Sequence, residues 1–318
     1  MIIKSIIFFS IVLNAFGVSS ASNKFDNALR KQEFGDSLAA QAISPSYYLP
    51  ELVDTPSVSR SAKIPNIYAD RYMLADLESG EVLLKHNSNL RVPIASTTKI
   101  MTAVVVLENY NLDDIAEISE RAAYQPGADA FLRVGEEIDV KNLLYCMLIK
   151  SGNDAALALA EQLDPDSPDS VDRFVEIMNT TAIRLKMNDT QYKDPAGLDT
   201  SGYSSAQDLF TITKYALNFK LFKDIVSTPK YIVTNTEGTI SHPLDNSNRL
   251  VGEYNYMGAL GVKTGYMPES GHCLVGAAER DGHTLIAIIL KTYADTAPAS
   301  ADEARKLLDW GWANTIWR

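Results

Sequence analysis

The sequence predicts an α/β chain of the α+β type: one antiparallel sheet flanked by helices, with a mostly helical subdomain inserted between its strands. Three observations predict it. Short β-rich runs bounded by turn residues occur towards both ends, at residues 72–84 and 273–290. Between them, from roughly residue 96 to 225, apolar residues recur at helical rather than alternating spacing. A final amphipathic run, 301–312, follows the second β-rich stretch and carries Leu307, Leu308 and Trp312 to cover a sheet face.

Taken in order, the chain opens with Met1-Ile2-Ile3-Lys4, an apolar run from Ile6 to Phe16, and the small residues Ser19-Ser20-Ala21. This order fits a signal peptide over 1–21 cleaved after Ala21, because the apolar run is shorter than the ~20 residues of a membrane span. Export to the periplasm, the cell surface or the medium is expected. Residues 22–65 mix Ser, Ala, Pro and charges without a sustained period and read as a flexible linker. The folded domain is expected over 66–318. Residues 72–76 and 82–84 flank Glu78-Ser79-Gly80-Glu81 as a hairpin. Helices are expected at 96–108, 140–148 and 155–163, the last capped by Asn153 or Asp154, and then at 171–185 and 206–219. Residues 258–264 read as a strand whose glycines allow another backbone to come close. Arg280-Asp281-Gly282 turns the second hairpin, between 273–278 and 284–290.

Composition narrows the function. With 46% hydrophobic and 22% charged residues the chain can bury a sizeable core. A net charge of -11 without any Lys/Arg-rich run argues against nucleic acid, whose phosphates need clustered cations. Two cysteines and four histidines form no zinc-ligand spacing, so no metal or other cofactor is expected. Cys146 and Cys273 are expected as buried free thiols.

Ser96-Thr97-Thr98-Lys99 puts a serine three residues before a lysine at a helix start, on one face and within hydrogen-bonding reach. Serine needs a base to take its proton, and lysine can be that base only if burial or a second cation lowers its pKa. Alone, such a pair is more often a helix cap beside a solvent-facing lysine. Two further elements change the reading. Ser151-Gly152-Asn153 lies at a helix–helix turn, and Lys263-Thr264-Gly265 follows a glycine-rich strand. Together they offer hydroxyls, a carboxamide, a cation and an open strand edge that could meet at one cleft, with Lys263 as the second cation beside Lys99.

On these motifs the sequence resembles the D-alanyl-D-alanine carboxypeptidases, low-molecular-mass penicillin-binding proteins of the serine-lysine peptidase group. The likeness extends through Pro93-Ile94-Ala95-Ser96, Ser151-Gly152-Asn153-Asp154, Asp194-Pro195-Ala196-Gly197-Leu198, Ser204-Ser205-Ala206-Gln207-Asp208-Leu209, Gly261-Val262-Lys263-Thr264-Gly265 and Leu307-Leu308-Asp309-Trp310. It implies a β-lactamase/DD-peptidase-like fold over the whole domain. It also implies that Ser96 forms an acyl-enzyme, Lys99 takes its proton, Ser151 relays a proton to the leaving D-alanine and Asn153 holds the substrate amide or Lys99. Lys263 and Thr264 would hold the terminal carboxylate beside Gly265, with the oxyanion between the backbone N–H groups of Ser96 and Tyr266.

Two departures from the family pattern matter. No arginine precedes the last helix, where Ser300 stands instead, so Arg249 is expected to help receive the carboxylate. The chain stops at Arg318, and neither a C-terminal β-domain nor a C-terminal membrane anchor is expected. The expected partners are a peptidoglycan stem peptide ending in D-Ala-D-Ala and, as covalent inhibitors, β-lactams. An endopeptidase that cuts peptidoglycan crosslinks uses the same residues and is the alternative. A β-lactamase is disfavoured by the lack of a Glu-x-x-Leu-Asn segment, and a non-catalytic penicillin-binding sensor by the intact motifs. His272 is read as a strand-end residue, the tryptophans as core, and Asp154 as a helix cap.

Overall fold

A computed structural model describes residues 54–318. The expected signal peptide and residues 22–53 of the expected linker lie outside the described residues. The chain begins with β1 (Pro56–Val58), β2 (Ala69–Asp76) and β3 (Val82–His86). A 3-10 turn, Ala95–Thr98, leads into α1 (Lys99–Asn109), followed by β4 (Ile115–Glu117), α2 (Glu120–Ala123) and β5 (Glu137–Asp139). Then come α3 (Val140–Ile149), α4 (Asn153–Glu161), α5 (Ser170–Arg184), α6 (Ala206–Ala216) and α7 (Lys220–Val226). The chain closes with β6 (Lys230–Thr234), β7 (Ser241–Asp245), β8 (Ala259–Met267), β9 (Gly271–Arg280), β10 (His283–Thr292), α8 (Ala299–Asn314) and β11 (Thr315–Trp317).

The main sheet runs β3-β2-β10-β9-β8, antiparallel throughout. Everything from α1 to β7 is therefore inserted between the two edge strands, as the distribution of β-rich runs predicts. Strand alternation sorts the core into two layers. Met73, Ala75, Val275, Ala277, Ile286 and Ile288 face the inserted helices. Their neighbours Leu74, Leu274, Ala278, Leu285, Ala287 and Ile289 face α8 through Leu307 and Leu308. With both faces covered, β10 buries a continuous apolar run instead of alternating. Helix α1 is buried from Lys99 to Val106 and forms the centre of the inserted layer. Trp310 belongs to the α8 side of the core and donates through Nε1 to Lys63 O at 2.8 Å.

The linker boundary needs correction. Residues 56–58 pair antiparallel with 315–317, Val58 packs against the α8 side of the core, and Thr55 N donates to Arg318 O at 3.0 Å. The Ser/Pro composition suggested a linker, but an edge strand tolerates proline, which lacks the N–H that a central strand would have to pair. Helix α7 and the β6–β7 hairpin also carry too weak a period to be read from sequence. Cys146 and Cys273 are both buried and unpaired with each other.

Asp76 ties the first hairpin to the end of the chain. Its carboxylate is fully buried and accepts from Ser79 N at 2.8 Å, Ser79 Oγ at 2.6 Å and Trp317 Nε1 at 2.9 Å. Asp76→Ala strands the buried donors and is expected to cost about 3 kcal/mol. Urea unfolding with an unchanged m-value and a lower midpoint would show it.

Candidate active site

Ser96 sits in the 3-10 turn that enters α1, and Lys99 is the first residue of the α-helix proper. That spacing brings Lys99 Nζ to 2.9 Å from Ser96 Oγ. The same Nζ donates to Asn153 Oδ1 at 2.6 Å and to the Ala196 carbonyl at 2.9 Å. Three contacts match the three N–H bonds of an ammonium. In the amine form one of them becomes a lone pair, and only Ser96 among the three partners has a proton to give. Asn153 is held in its orientation by Nδ2 donating to Pro126 O at 2.6 Å.

Lys99 is completely buried, and burial pushes its pKa down to about 7, opposed by the negative charges of Asp194 and Asp154. Burial is the leading cause, whereas the sequence suggested a second cation as an equal one. That cation, Lys263, is itself buried in β8, with Nζ donating to Thr264 O at 3.1 Å. Its pKa is pushed well down, first by burial and then by repulsion from Lys99. Both lysines thus lie beneath the site, where burial disfavours their charged forms.

Above them opens a cleft of about 530 Å³. Ser96, Ser151, Asn153 and Thr264 line it, and so do Gly265, Tyr266 and Arg249. The predicted site residues are therefore brought together, with Lys99 and Lys263 under the floor instead of on the wall. Ser151 adopts φ +67°, a strained value for a non-glycine residue, at the turn joining α3 to α4. Strand β8 is a sheet edge, and Gly265 lets it close on the nucleophile turn. A Cβ there would stand 2.9 Å from Ile94 O and 3.0 Å from Ser96 N. Thr264 Oγ1 donates to Ser247 Oγ at 3.2 Å, and Arg249 pairs with Glu253.

Two readings of single residues change. Asp154 is not at the N-cap position of α4, which is Gly152 with no side-chain bond, although its Oδ1 accepts from the first-turn Ala155 N at 2.8 Å. Its buried carboxylate reaches across to accept from Ala130 N at 3.0 Å and Leu132 N at 3.1 Å, so it clamps the loop that lines the cleft through Gly127 and Ala128. Burial, together with a hydrogen bond to Asp129, raises its pKa to about 6. His272 is more than a strand-end residue: it lines the cleft and stacks on Tyr266 with ring centroids 4.2 Å apart. Ser300 also lines the cleft, at the place where the sequence lacks an arginine. Sequence reasoning missed Ser247 and Leu198 as cleft residues, since neither sits in a motif with its own chemistry.

Comparison with known proteins agrees with this geometry. Residues 58–294 match the protein family described as D-alanyl-D-alanine carboxypeptidase. A D-alanyl-D-alanine carboxypeptidase of Bacillus subtilis is 35% identical over 248 residues, 76% of this chain and 61% of that protein. The chain thus spans less than two thirds of that relative. A D-alanyl-D-alanine endopeptidase of Pseudomonas aeruginosa is 31% identical over 247 residues, covering 77% of this chain and 78% of its own. The crystal structure of the Streptomyces K15 DD-transpeptidase superposes with a TM-score of 0.74 at 33% identity, covering 79% of this chain and 99% of that one. A serine hydrogen-bonded to a buried lysine beside a sheet edge, in a fold and sequence of this kind, leaves one assignment: the chain belongs to the D-alanyl-D-alanine carboxypeptidase family.

Proposed function

We propose that the protein is a serine-type D-Ala-D-Ala carboxypeptidase that removes the terminal D-alanine from peptidoglycan stem pentapeptides. The observation that carries this reading is the buried Lys99 amine 2.9 Å from Ser96 Oγ. The peptide lies along β8 as an added strand, its terminal carboxylate held by Thr264 and Arg249 above Lys263. Ser96 Oγ attacks the penultimate carbonyl while its proton passes to Lys99. The backbone N–H groups of Ser96 and Tyr266 receive the oxyanion, worth about 3 kcal/mol each. The C–N bond then breaks, the proton returns through Ser151 to the leaving amine, and D-alanine departs. Water adds to the Ser96 ester as Lys99 accepts a proton from it, the C–O bond to Ser96 breaks, Lys99 returns the proton to Ser96 Oγ, and the shortened peptide is released.

Penicillins offer the same carbonyl and carboxylate and form a slowly hydrolysed ester on Ser96. Cell-wall metabolism in an exported compartment, with residues 1–21 as the export signal, completes the proposal.

A second reading is endopeptidase action on crosslinks, favoured by the likeness to the Pseudomonas protein of that name. Rates on a free pentapeptide and on crosslinked muropeptides separate the two. The purified protein is expected to label with a fluorescent penicillin and to release D-alanine from a D-Ala-D-Ala peptide. Ser96→Ala is expected to abolish both. Equal labelling of a folded Ser96→Ala variant would sink the proposal.

A further inference from the structure

We infer that Asp194 is a positioning residue for the base: its carboxylate staples the turn 194–199 so that the Ala196 carbonyl meets Lys99 and Gly197 braces the Ser96 turn. This rests on the acyl-enzyme reading above and deepens it.

Asp194 Oδ1 accepts from the backbone N–H of Ala196 at 2.7 Å, Gly197 at 2.6 Å and Leu198 at 3.1 Å, and Oδ2 from Asp199 at 2.7 Å. Four consecutive donors converge on one carboxylate, where an ordinary Asx turn uses one or two. With its N–H groups gathered inward, the segment presents carbonyls to α1. Pro195 O accepts from Thr102 Oγ1 at 2.6 Å and Ala196 O from Lys99 Nζ at 2.9 Å, two side chains three residues apart on one helical face. Gly197, at φ +81°, presses so closely on the nucleophile turn that a Cβ would stand 2.0 Å from Ala95 O. One carboxylate thereby orients a partner of the base and the backbone before the nucleophile.

Its charge has a second effect. Burial lowers the Lys99 pKa to about 7, and Asp194 opposes that fall more than Asp154 of α4 does. The other ionisable group close to Lys99 is Lys263 of β8, while Ser96 and Asn153 are neutral. Asp194 thus keeps Lys99 basic enough to take the serine proton.

The test is the pH dependence of the second-order acylation rate by a labelled penicillin, with thermal unfolding measured alongside, in wild type, Asp194→Asn and Asp194→Glu. In Asp194→Asn the plateau is expected to fall about tenfold or more through misplacement of the turn. Its acid limb is expected to move to lower pH, because the amine form gains when an opposing negative charge is lost. Asp194→Glu keeps the charge and moves the turn, so its plateau should fall while its acid limb stays with wild type. An Asp194→Asn limb that does not move overturns the inference, as does an unchanged plateau. If Asp194→Asn does not fold, Asp194→Glu decides: a lowered plateau with an unmoved limb supports the inference, and a displaced limb overturns it. Failure of the wild type to label would instead refute the acyl-enzyme reading.

Discussion

Lys99→Met is expected to lower the rate of penicillin acylation by about 10³-fold or more, the scale of a lost general base. Methionine fills nearly the same space, so the fold should survive. The reason lies in the contacts. Of the three partners of Lys99 Nζ, only Ser96 can hand over a proton, and no other amine or imidazole hydrogen-bonds Ser96 Oγ among the described residues. The wild-type pH profile should follow from the same geometry. With the Lys99 pKa lowered to about 7, the amine fraction falls tenfold per unit below that pH. Acylation should therefore rise with pH through about 7 and level off above it. The sign is that of a base that must be deprotonated in the free enzyme. A profile flat from acid to alkaline pH, or wild-type labelling of Lys99→Met, would remove lysine from the role of base.

Gly197→Ala is expected to damage stability and activity together. A left-handed backbone costs an L-residue about 1–2 kcal/mol, and forcing atoms into a packed site adds about 1–3 kcal/mol. A Cβ 2.0 Å from Ala95 O and 2.7 Å from Thr98 Oγ1 must push either the 194–199 turn or the Ser96 turn away. Displacement of about 1 Å at the nucleophile is enough for a 10²-fold loss of rate. Urea unfolding reads the first effect and acylation kinetics the second. Near-wild-type values for both would mean that the two turns are free to separate without harm. Gly265→Ala makes a milder comparison, because its Cβ meets Ile94 O at 2.9 Å without a positive φ.

The parts of the site that were legible in the sequence are those whose chemistry is local. Ser96 and Lys99 are one helical turn apart, so their contact follows from spacing alone. Ser151, Asn153, Thr264 and Gly265 could be gathered only by family pattern, since the contact of Asn153 with Lys99 closes over 54 residues. Asp194 entered only within the family likeness and without a role, because a carboxylate that binds backbone N–H groups leaves no residue-type signature beyond a turn. The sequence separation of 97 between Lys99 and Ala196 carries no periodic clue to their meeting. That both lysines would be fully buried was hidden for a similar reason. Burial of Lys263 behind β8 depends on how the edge strand closes on the Ser96 turn, a tertiary fact. In the fold, long apolar segments such as α1, α3 and β10 were readable. Short segments such as β1, β11, β6 and β7 were not, because three to five residues cannot display a period.

The β1–β11 ladder joins residues near both ends of the described chain, with Pro56 opposite Trp317 and Thr55 N bonded to Arg318 O. Tension applied between positions 54 and 318 enters this antiparallel pair at its open end. Its rungs are then loaded one after another, as in a zipper, and not all at once in shear. The bond from Trp317 Nε1 to Asp76 at 2.9 Å and the stacking of Trp317 on His283 are then the first points at which the load reaches the main sheet. Pulled between these two positions the domain lengthens at this ladder first, with Ser96 and Lys99 on the opposite face of the sheet from α8.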